Sequence, residues 1–290
     1  ALRELGHGVL VFSHEDITAS SPAEQQALYR ALLKEPCDAV FDLCCWAQCL
    51  SHGRVWDGSP EGEPVYDSLE MDCVGLLFDH PWFQPVTAVH SSRLHASVGD
   101  RSNVAQLALV YPELQLRGTV FAPPAVRPAS DHSGRAAARD IPLLYIGNLP
   151  RDAPGAALFD ATADLAIERP DAPLDTLLAE VLQGLGRTLD AATALEVLRP
   201  VEYFRRASLR RDAVRAAAAC GAPMRVVGNG WEEEGLPANV QLHPFVSYEE
   251  LLDFAGRAQV CLDSSTYPDG ANDRVFTYSV KGALCFSNSR

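Results

Sequence analysis

The chain has 290 residues, 47% hydrophobic and 21% charged, which is the composition of a folded protein with more length than one core usually covers. Its formal net charge of −14 excludes a protein that coats nucleic acid, because neutralising phosphates needs a net basic face, whereas a small anionic ligand needs only a few local cations. No apolar run is long enough to span a bilayer and no signal peptide is recognisable, so we expect a cytoplasmic protein without an integral membrane segment.

Short apolar runs alternate with helical segments in the first half of the chain. The predicted strands are HGVLVFS (7–13), DAVFDLCC (38–45), CVGLLFDHP (73–81), VTAVH (86–90) and GTVFAPPA (118–125), and the predicted helices are residues 21–35 and 102–114. Continuously apolar strands between helices are typical of a parallel sheet covered on both faces. The chain begins with Ala1 inside what reads as the end of a helix, and the apolar strand near residue 289 is cut short, so we expect it to be trimmed at both ends.

The alternation is interrupted once and then restarts. The segment PAVRPASDHSGRAAARD is rich in Pro, Ser, Gly and charge, as a linker between domains is. The elements predicted after it are strands 141–148, 224–231, 238–246 and 259–265, helical stretches 171–198 and 202–221, a helix with a Ser247–Glu250 capping box, and a last helix from about Asn272. We therefore predict two Rossmann-like α/β domains facing a cleft, at 1–124 and 141–290, joined by a linker at 125–140.

The strand ends of the second domain carry the candidate binding residues. Ligands of such sheets bind beyond the carboxyl ends of the strands, and glycines there let backbone amides approach closely. The last helix points its unsatisfied N–H groups into the same space. The candidates at these positions are Gly147, Asn148, Gly228, Asn229, Gly230, Trp231, His243, Phe245, Asn272, Asp273 and Arg274. A Gly-Asn-Gly turn or an Asp-Arg pair alone more often has only a structural role. Their joint position at successive strand ends favours a ligand-binding site.

His80 follows an apolar strand of the first half and is predicted to face the cleft, as a general base or as part of a sugar pocket. The alternative is that His80 is a loop residue before proline with no catalytic role.

The eight cysteines are scattered, mostly in apolar stretches, without a paired C-x-x-C spacing. We interpret them as buried thiols in a reducing compartment and predict no metal site.

The segment 227–289 resembles the donor-binding half of GT-B glycosyltransferases, and within them the bacterial branch related to spore-maturation proteins. The positions shared with that branch are Gly228, Gly230, Trp231, Asn239, Val240, Tyr248, Leu251, Arg274, Val275, Phe276, Gly282, Ala283 and Leu284. The likeness is specific over 224–289 and weaker over 1–150.

This resemblance implies a nucleotide-sugar donor whose diphosphate lies by Arg274 and the amides of Asn272 and Asp273. The base and ribose would lie near Gly228–Trp231 and the 240–245 loop. Related retaining enzymes carry two glutamates eight positions apart, which here correspond to Asp269 and Thr277. Asp269 can accept a sugar hydroxyl and favours retention, whereas Thr277 cannot make the bidentate ribose contact.

The predicted function is therefore a metal-independent glycosyltransferase of hexosyltransferase type. It needs no cofactor beyond the nucleotide sugar, and its acceptor could be a glycan, a lipid, a small molecule or a protein. No Asp-x-Asp motif for a metal ion is present. Two alternatives stay open, namely a catalytically silent GT-B-like binding module and a nucleotide-sugar epimerase.

Overall fold

A computed structural model describes residues 3, 6–9, 38–43, 71–77, 79–83, 93–112, 118–121, 139–150, 157–267, 270 and 272–288. The chain divides into two compact units, Ala1–Val98 with Tyr111–Val120, and Gly99–Val110 with Phe121–Arg290. The predicted domain limits, the linker at 125–140 and the cleft stay predictions.

The first sheet has four strands in the order β1-β2-β3-β4. They are β1 (Ala39–Leu43), β2 (Asp72–Leu77), β3 (Leu94–Val98) and β4 (Gly118–Phe121), and β1, β2 and β3 pair in parallel. The strand at 94–98 was not predicted, because His95 and Ser97 interrupt its apolar pattern. The predicted strands 7–13 and 86–90 and the helix 21–35 lie wholly or mostly outside the described residues.

The second sheet has five parallel strands in the order β7-β6-β5-β8-β9. They are β5 (Ile141–Ile146), β6 (Met224–Val227), β7 (Val240–His243), β8 (Ala258–Asp263) and β9 (Leu284–Ser287). The chain moves outward from β5 to β7 and returns to the other side of β5 with β8, so the strand order reverses at β5. The predicted α/β class with parallel sheets is confirmed.

Helix α1 (Ser102–Val110) agrees with the helix predicted at 102–114, and it ends where Pro112 would prevent its continuation. Asp100 precedes it and accepts the Ser102 N–H at 2.7 Å. The other helices are α2 (Ala157–Glu168), α3 (Leu174–Gly184), α4 (Ala191–Ala219), α5 (Tyr248–Arg257) and α6 (Asp273–Val280). None of these described helices is both long and apolar enough to cross a membrane.

The prediction of one helical stretch ending at residue 198 and a separate helix beginning at 202 is wrong, because both belong to helix α4. It is one helix of 29 residues that passes through Pro200. Proline removes one helical hydrogen bond, but Val197, Leu198 and Val201 are buried around it, so packing offsets that loss. The helix begins where the Asp190 carboxylate accepts the Thr193 N–H at 2.8 Å.

The second sheet is covered on both faces, as its apolar strands require. On one face, Leu144 and Ile146 of β5 pack with Phe254 of α5 and Tyr278 of α6. On the other face, Tyr145 packs in a cluster that includes Val214 of α4 and Trp231. Helix α4 and helix α6 therefore lie on opposite faces of the sheet.

The turn after β6 presses against the segment that follows β5. A Cβ on Gly228 would lie 2.4 Å from the Gly147 carbonyl oxygen, and a Cβ on Gly230 would lie 2.4 Å from that of Leu149. Gly230 also has φ +91°, a conformation that L-residues rarely adopt. Only glycine fits at either position.

We therefore expect Gly230→Ala to destabilise the protein by more than about 1 kcal/mol, through both the clash and the strained backbone. Gly256→Ala is the matched control, because Gly256 lies in α5 with no atom within 4 Å of an added Cβ. Alanine there should stabilise the protein by about 0.5–1 kcal/mol, as in any helix interior. Urea unfolding of both variants measures the difference, and equal effects of the same sign would contradict this account of the turn.

Candidate functional site

A cavity of about 450 Å³ opens beside the carboxyl ends of β5 and β6 in the second unit. It lies next to β5, where the strand order reverses and loops on either side diverge, which is the usual ligand position in such sheets. The lining residues are Ile146, Gly147, Asn148, Pro150, Tyr203, Arg206, Arg210, Val227, Phe245, Val246, Leu251 and Arg274. Three of them are arginines and none is acidic, so the described lining favours an anion.

Arg274 reaches the cavity from the first turn of α6. Its side chain is 20% exposed, its Nη1 donates to the Ile146 carbonyl oxygen at 2.5 Å, and its Nε lies 3.8 Å from Asp263 Oδ1. A Cβ on Gly147 would lie only 3.0 Å from Nη1, so the glycine permits this approach. Burial disfavours the charged guanidinium, but Tyr278, Asp263 and Tyr145 raise the pKa of Arg274 above its ordinary value.

Asp263 at the end of β8 orients this arginine. Its side chain is fully buried, and its carboxylate accepts hydrogen bonds from Asn272 Nδ2 at 3.2 Å and from Ser287 Oγ at 3.1 Å. Asn272 is the N-cap residue of α6 by position, but its side chain does not cap the helix. Its amide is instead used to hold Asp263, while Asp273 lies exposed at the helix start.

Arg206 and Arg210 reach the cavity from α4, four residues apart on one face of the helix. Neither residue was predicted to belong to the site, although the doubled arginines in FRRASLRR indicate a concentration of positive charge on this helix. Arg206 Nη2 donates to Glu202 Oε1 at 3.2 Å. Arg210 Nη1 donates to the Asn148 carbonyl.

Arg210 is the most buried of the three, with 8% of its surface exposed. Burial lowers the pKa of Arg210 to about 10, and repulsion from the guanidinium groups of Arg274 and Arg206 acts in the same direction. The cavity therefore concentrates positive charge in a partly dehydrated place, where electrostatic interactions are strong.

A chain of backbone and amide contacts links the ends of β5, β6 and β7. Asn148 Oδ1 accepts the Asn229 N–H at 2.9 Å, and Asn229 Oδ1 accepts the Phe245 N–H at 3.1 Å. The Phe245 ring is 63% exposed at the cavity. The structure thus brings together Gly147, Asn148, Phe245 and Arg274 of the predicted residues, with the Gly228–Gly230 turn shaping their backbone.

Several predicted ligands are absent from the cavity lining that the structure describes, among them Asn272, Asp273 and the turn 228–230. Three more, Trp231, Thr277 and His243, have side chains engaged elsewhere. The Trp231 ring is 1% exposed, and its Nε1 donates to the Gly147 carbonyl oxygen at 2.8 Å. The Thr277 hydroxyl donates to the Asp273 carbonyl within α6, and the His243 ring packs edge-on against Phe254. In this arrangement each has a packing or hydrogen-bonding role, and ligand contact stays a prediction.

His80 and Asp269 are the two remaining predicted catalytic residues. His80 belongs to the first unit, is 1% exposed and stacks on Trp82 with ring centroids 4.6 Å apart. Its carbonyl accepts the Phe83 N–H at 2.9 Å and so begins the short 3-10 helix Pro81–Phe83. Asp269 lies outside the described residues. Their roles in proton transfer and sugar binding stay predictions.

A buried ion pair fixes α4 against the loop after β8. Glu202 and Arg205 are almost fully buried and lie 3.3 Å apart. Arg205 also donates to the carbonyl oxygens of Ala172 and Thr266 at 2.9 Å, and the Thr266 hydroxyl donates to Glu202. Glu202 therefore joins the loop that leads towards α6 to the helix that carries Arg206.

We expect Glu202→Gln to destabilise the protein by about 3–5 kcal/mol, because it leaves the buried Arg205 without its counter-charge. The matched control is Glu180→Gln, which breaks a 2.8 Å ion pair with Arg169 in which both side chains are 43% or more exposed. That change should cost less than about 1 kcal/mol. Urea unfolding at neutral pH compares the two, and a similar cost for both would contradict the central role of the buried pair.

Residues 205–290 match the model of a family described as "Glycosyl transferase-like". The matched stretch begins inside α4 and contains all three cavity arginines, so this part of the chain is glycosyltransferase-like in sequence. No curated protein matches the chain. The spore-maturation branch stays a prediction.

An alpha,alpha-trehalose-phosphate synthase (UDP-forming) from Burkholderia vietnamiensis aligns with 11% identity and a TM-score of 0.36. The alignment covers 91% of this chain and 66% of that one, so the chain spans less than two thirds of the other protein. A TM-score this low does not bear on substrate or mechanism.

Proposed function

We propose that the protein is a glycosyltransferase whose second unit binds a nucleotide-sugar donor. The observation that carries the proposal is Arg274, placed by α6 and Asp263 at the cavity where the sheet reverses its strand order. It lies within the stretch that is glycosyltransferase-like in sequence. A forked guanidinium at a helix start suits the oxygens of a diphosphate.

Transfer of the sugar breaks the bond between its anomeric carbon and the diphosphate oxygen. Negative charge accumulates on that oxygen as the bond breaks, so fixed positive charge beside it lowers the barrier. Arg274 is held by the Ile146 carbonyl and the Asp263 carboxylate, and therefore needs little rearrangement to serve in this way. Charge stabilisation by arginine and helix amides makes the proposed reaction independent of a metal ion.

The remaining parts of the donor are assigned by position. The exposed Phe245 ring offers a surface for the base, and the Gly228–Gly230 turn lies beside it through the Asn229 contact. By the resemblance in sequence, Asp269 would accept a hydrogen bond from a sugar hydroxyl, and its correspondence to a glutamate of retaining enzymes favours retention of the anomeric configuration. His80 would accept the proton of an acceptor hydroxyl or line the sugar pocket.

A panel of UDP-, GDP- and dTDP-sugars tests the proposal. The protein should slowly release the matching nucleoside diphosphate even without an acceptor, because transferases hydrolyse some donor. Release of the diphosphate together with free sugar supports transfer chemistry. Conversion of the sugar without any release would indicate an epimerase, and binding without turnover would indicate a silent binding module.

With the active donor, Arg274→Ala should reduce turnover by about a hundred- to a thousand-fold, the usual effect of removing one transition-state charge contact. Arg257→Ala is the matched control. Arg257 ends α5 and pairs with Asp140, which precedes β5 at the end of the strand opposite to the cavity, with 2.9 Å between Nε and Oδ1. Its loss should leave turnover unchanged. Near-normal turnover in a folded Arg274→Ala protein would contradict the proposal that Arg274 stabilises the leaving diphosphate.

A further inference from the structure

We infer that Arg210, assisted by Arg206, forms a second side of the anion site, so that the cavity selects ligands with two linked phosphates over ligands with one. The inference rests on the proposed function, because it takes the diphosphate of the donor as the occupant. It adds Arg206 and Arg210 of α4 as binding residues, and it gives a reason why the cavity would prefer a diphosphate to a single phosphate.

The hydrogen bonding of Arg210 is incomplete. Its side chain is more than nine-tenths buried and lines the cavity. Nη1 donates to the Asn148 carbonyl, but the buried Nε has no hydrogen-bond partner among the described residues. Leaving a buried charged donor unpaired is costly, so such a group in a cavity marks the place of an acceptor.

Arg210 also has no paired carboxylate among the described residues. Within the part of the chain that the structure describes, four other arginines of α4 have a carboxylate partner within 4.0 Å, and Arg210 has none. Those pairs are Arg205 and Arg206 with Glu202, and Arg211 and Arg215 with Glu234. The lowered pKa of Arg210 is the expected result of burial near two further cations. An anion in the cavity would supply the missing counter-charge.

The arginines approach from two directions. Arg274 comes from α6 on one face of the sheet and is anchored on the Ile146 carbonyl, whereas Arg210 comes from α4 on the other face and is anchored on the Asn148 carbonyl. Each anchor uses one Nη donor of a guanidinium that has five N–H groups. One phosphate can be held by one fork, but engaging both sides favours two linked phosphates.

The test compares inorganic pyrophosphate with inorganic phosphate by calorimetric titration of the full chain. Pyrophosphate should bind the unaltered protein more tightly. Arg210→Met keeps the bulk of the side chain and should weaken pyrophosphate binding by about tenfold or more, as expected for a lost charged contact. Phosphate, which Arg274 alone can hold, should be affected much less, so the ratio of the two affinities falls.

Two further variants keep the test decisive. Arg215→Met lies on the same helix with its side chain 56% exposed, and it should leave both affinities unchanged. Arg210→Lys keeps the charge without the fork and should give an intermediate ratio; it replaces Arg210→Met if that protein does not fold. With the active donor, loss of Arg210 should raise KM as well as lower kcat.

The outcomes separate this inference from the proposed function. An unchanged affinity ratio in folded Arg210→Met or Arg210→Lys protein overturns the inference, even if nucleotide sugars are turned over. No binding of pyrophosphate by the unaltered protein also overturns it. If the ratio of pyrophosphate to phosphate affinity falls in the variant but the protein turns over no nucleotide sugar, the two-sided anion site is supported and the transferase proposal is contradicted.

Discussion

The second unit depends on the pairing of β5 with β6 on one side and with β8 on the other. Because β5 is the first strand and lies in the middle, the chain must leave its carboxyl end in one direction and return later to the opposite side. Crossover connections between parallel strands are right-handed. A helix before the strand order reverses and a helix after it therefore cover different faces of the sheet. Helix α4 and helix α6 consequently lie on opposite faces. The cavity lies between the middle of α4, which carries Arg206 and Arg210, and the first turn of α6, which carries Arg274.

Within that arrangement, backbone carbonyls decide where the cations are held. Ile146 and Asn148, which flank Gly147 at the end of β5, each accept a hydrogen bond from one arginine. Neutral oxygens orient a guanidinium without cancelling its charge, whereas Glu202 largely neutralises Arg205 in a structural pair. Arg274 and Arg206 also have a carboxylate within 4.0 Å, from Asp263 and Glu202 respectively. Among the cavity arginines that the structure describes, Arg210 is therefore the one held by a neutral oxygen without a paired carboxylate.

Much of the second unit could be predicted from the sequence, because its strands are short apolar runs and its caps are local. The Ser247–Glu250 capping box is confirmed, and Gly221 follows α4 with φ 75° as expected for a helix end.

Contacts between residues that are far apart in the sequence could not be predicted from local patterns. Trp231 matched a family motif, but its burial depends on Tyr145, more than eighty positions away. Arg206 and Arg210 share a helical face by spacing, but sequence does not indicate which face of α4 meets the sheet. Its buried side includes Glu202, Arg205 and Arg210 as well as apolar residues, so amphipathic pattern alone is ambiguous.

The three cavity arginines stand in a molecule whose formal net charge is −14. A polyanionic ligand at a distance therefore meets overall repulsion, and only within about 8–10 Å, the Debye length in physiological salt, does the local positive field prevail. Moderate salt should screen the distant repulsion more than the close, dehydrated contacts. Capture of the ligand would then accelerate as ionic strength first rises, the opposite of ordinary electrostatic steering.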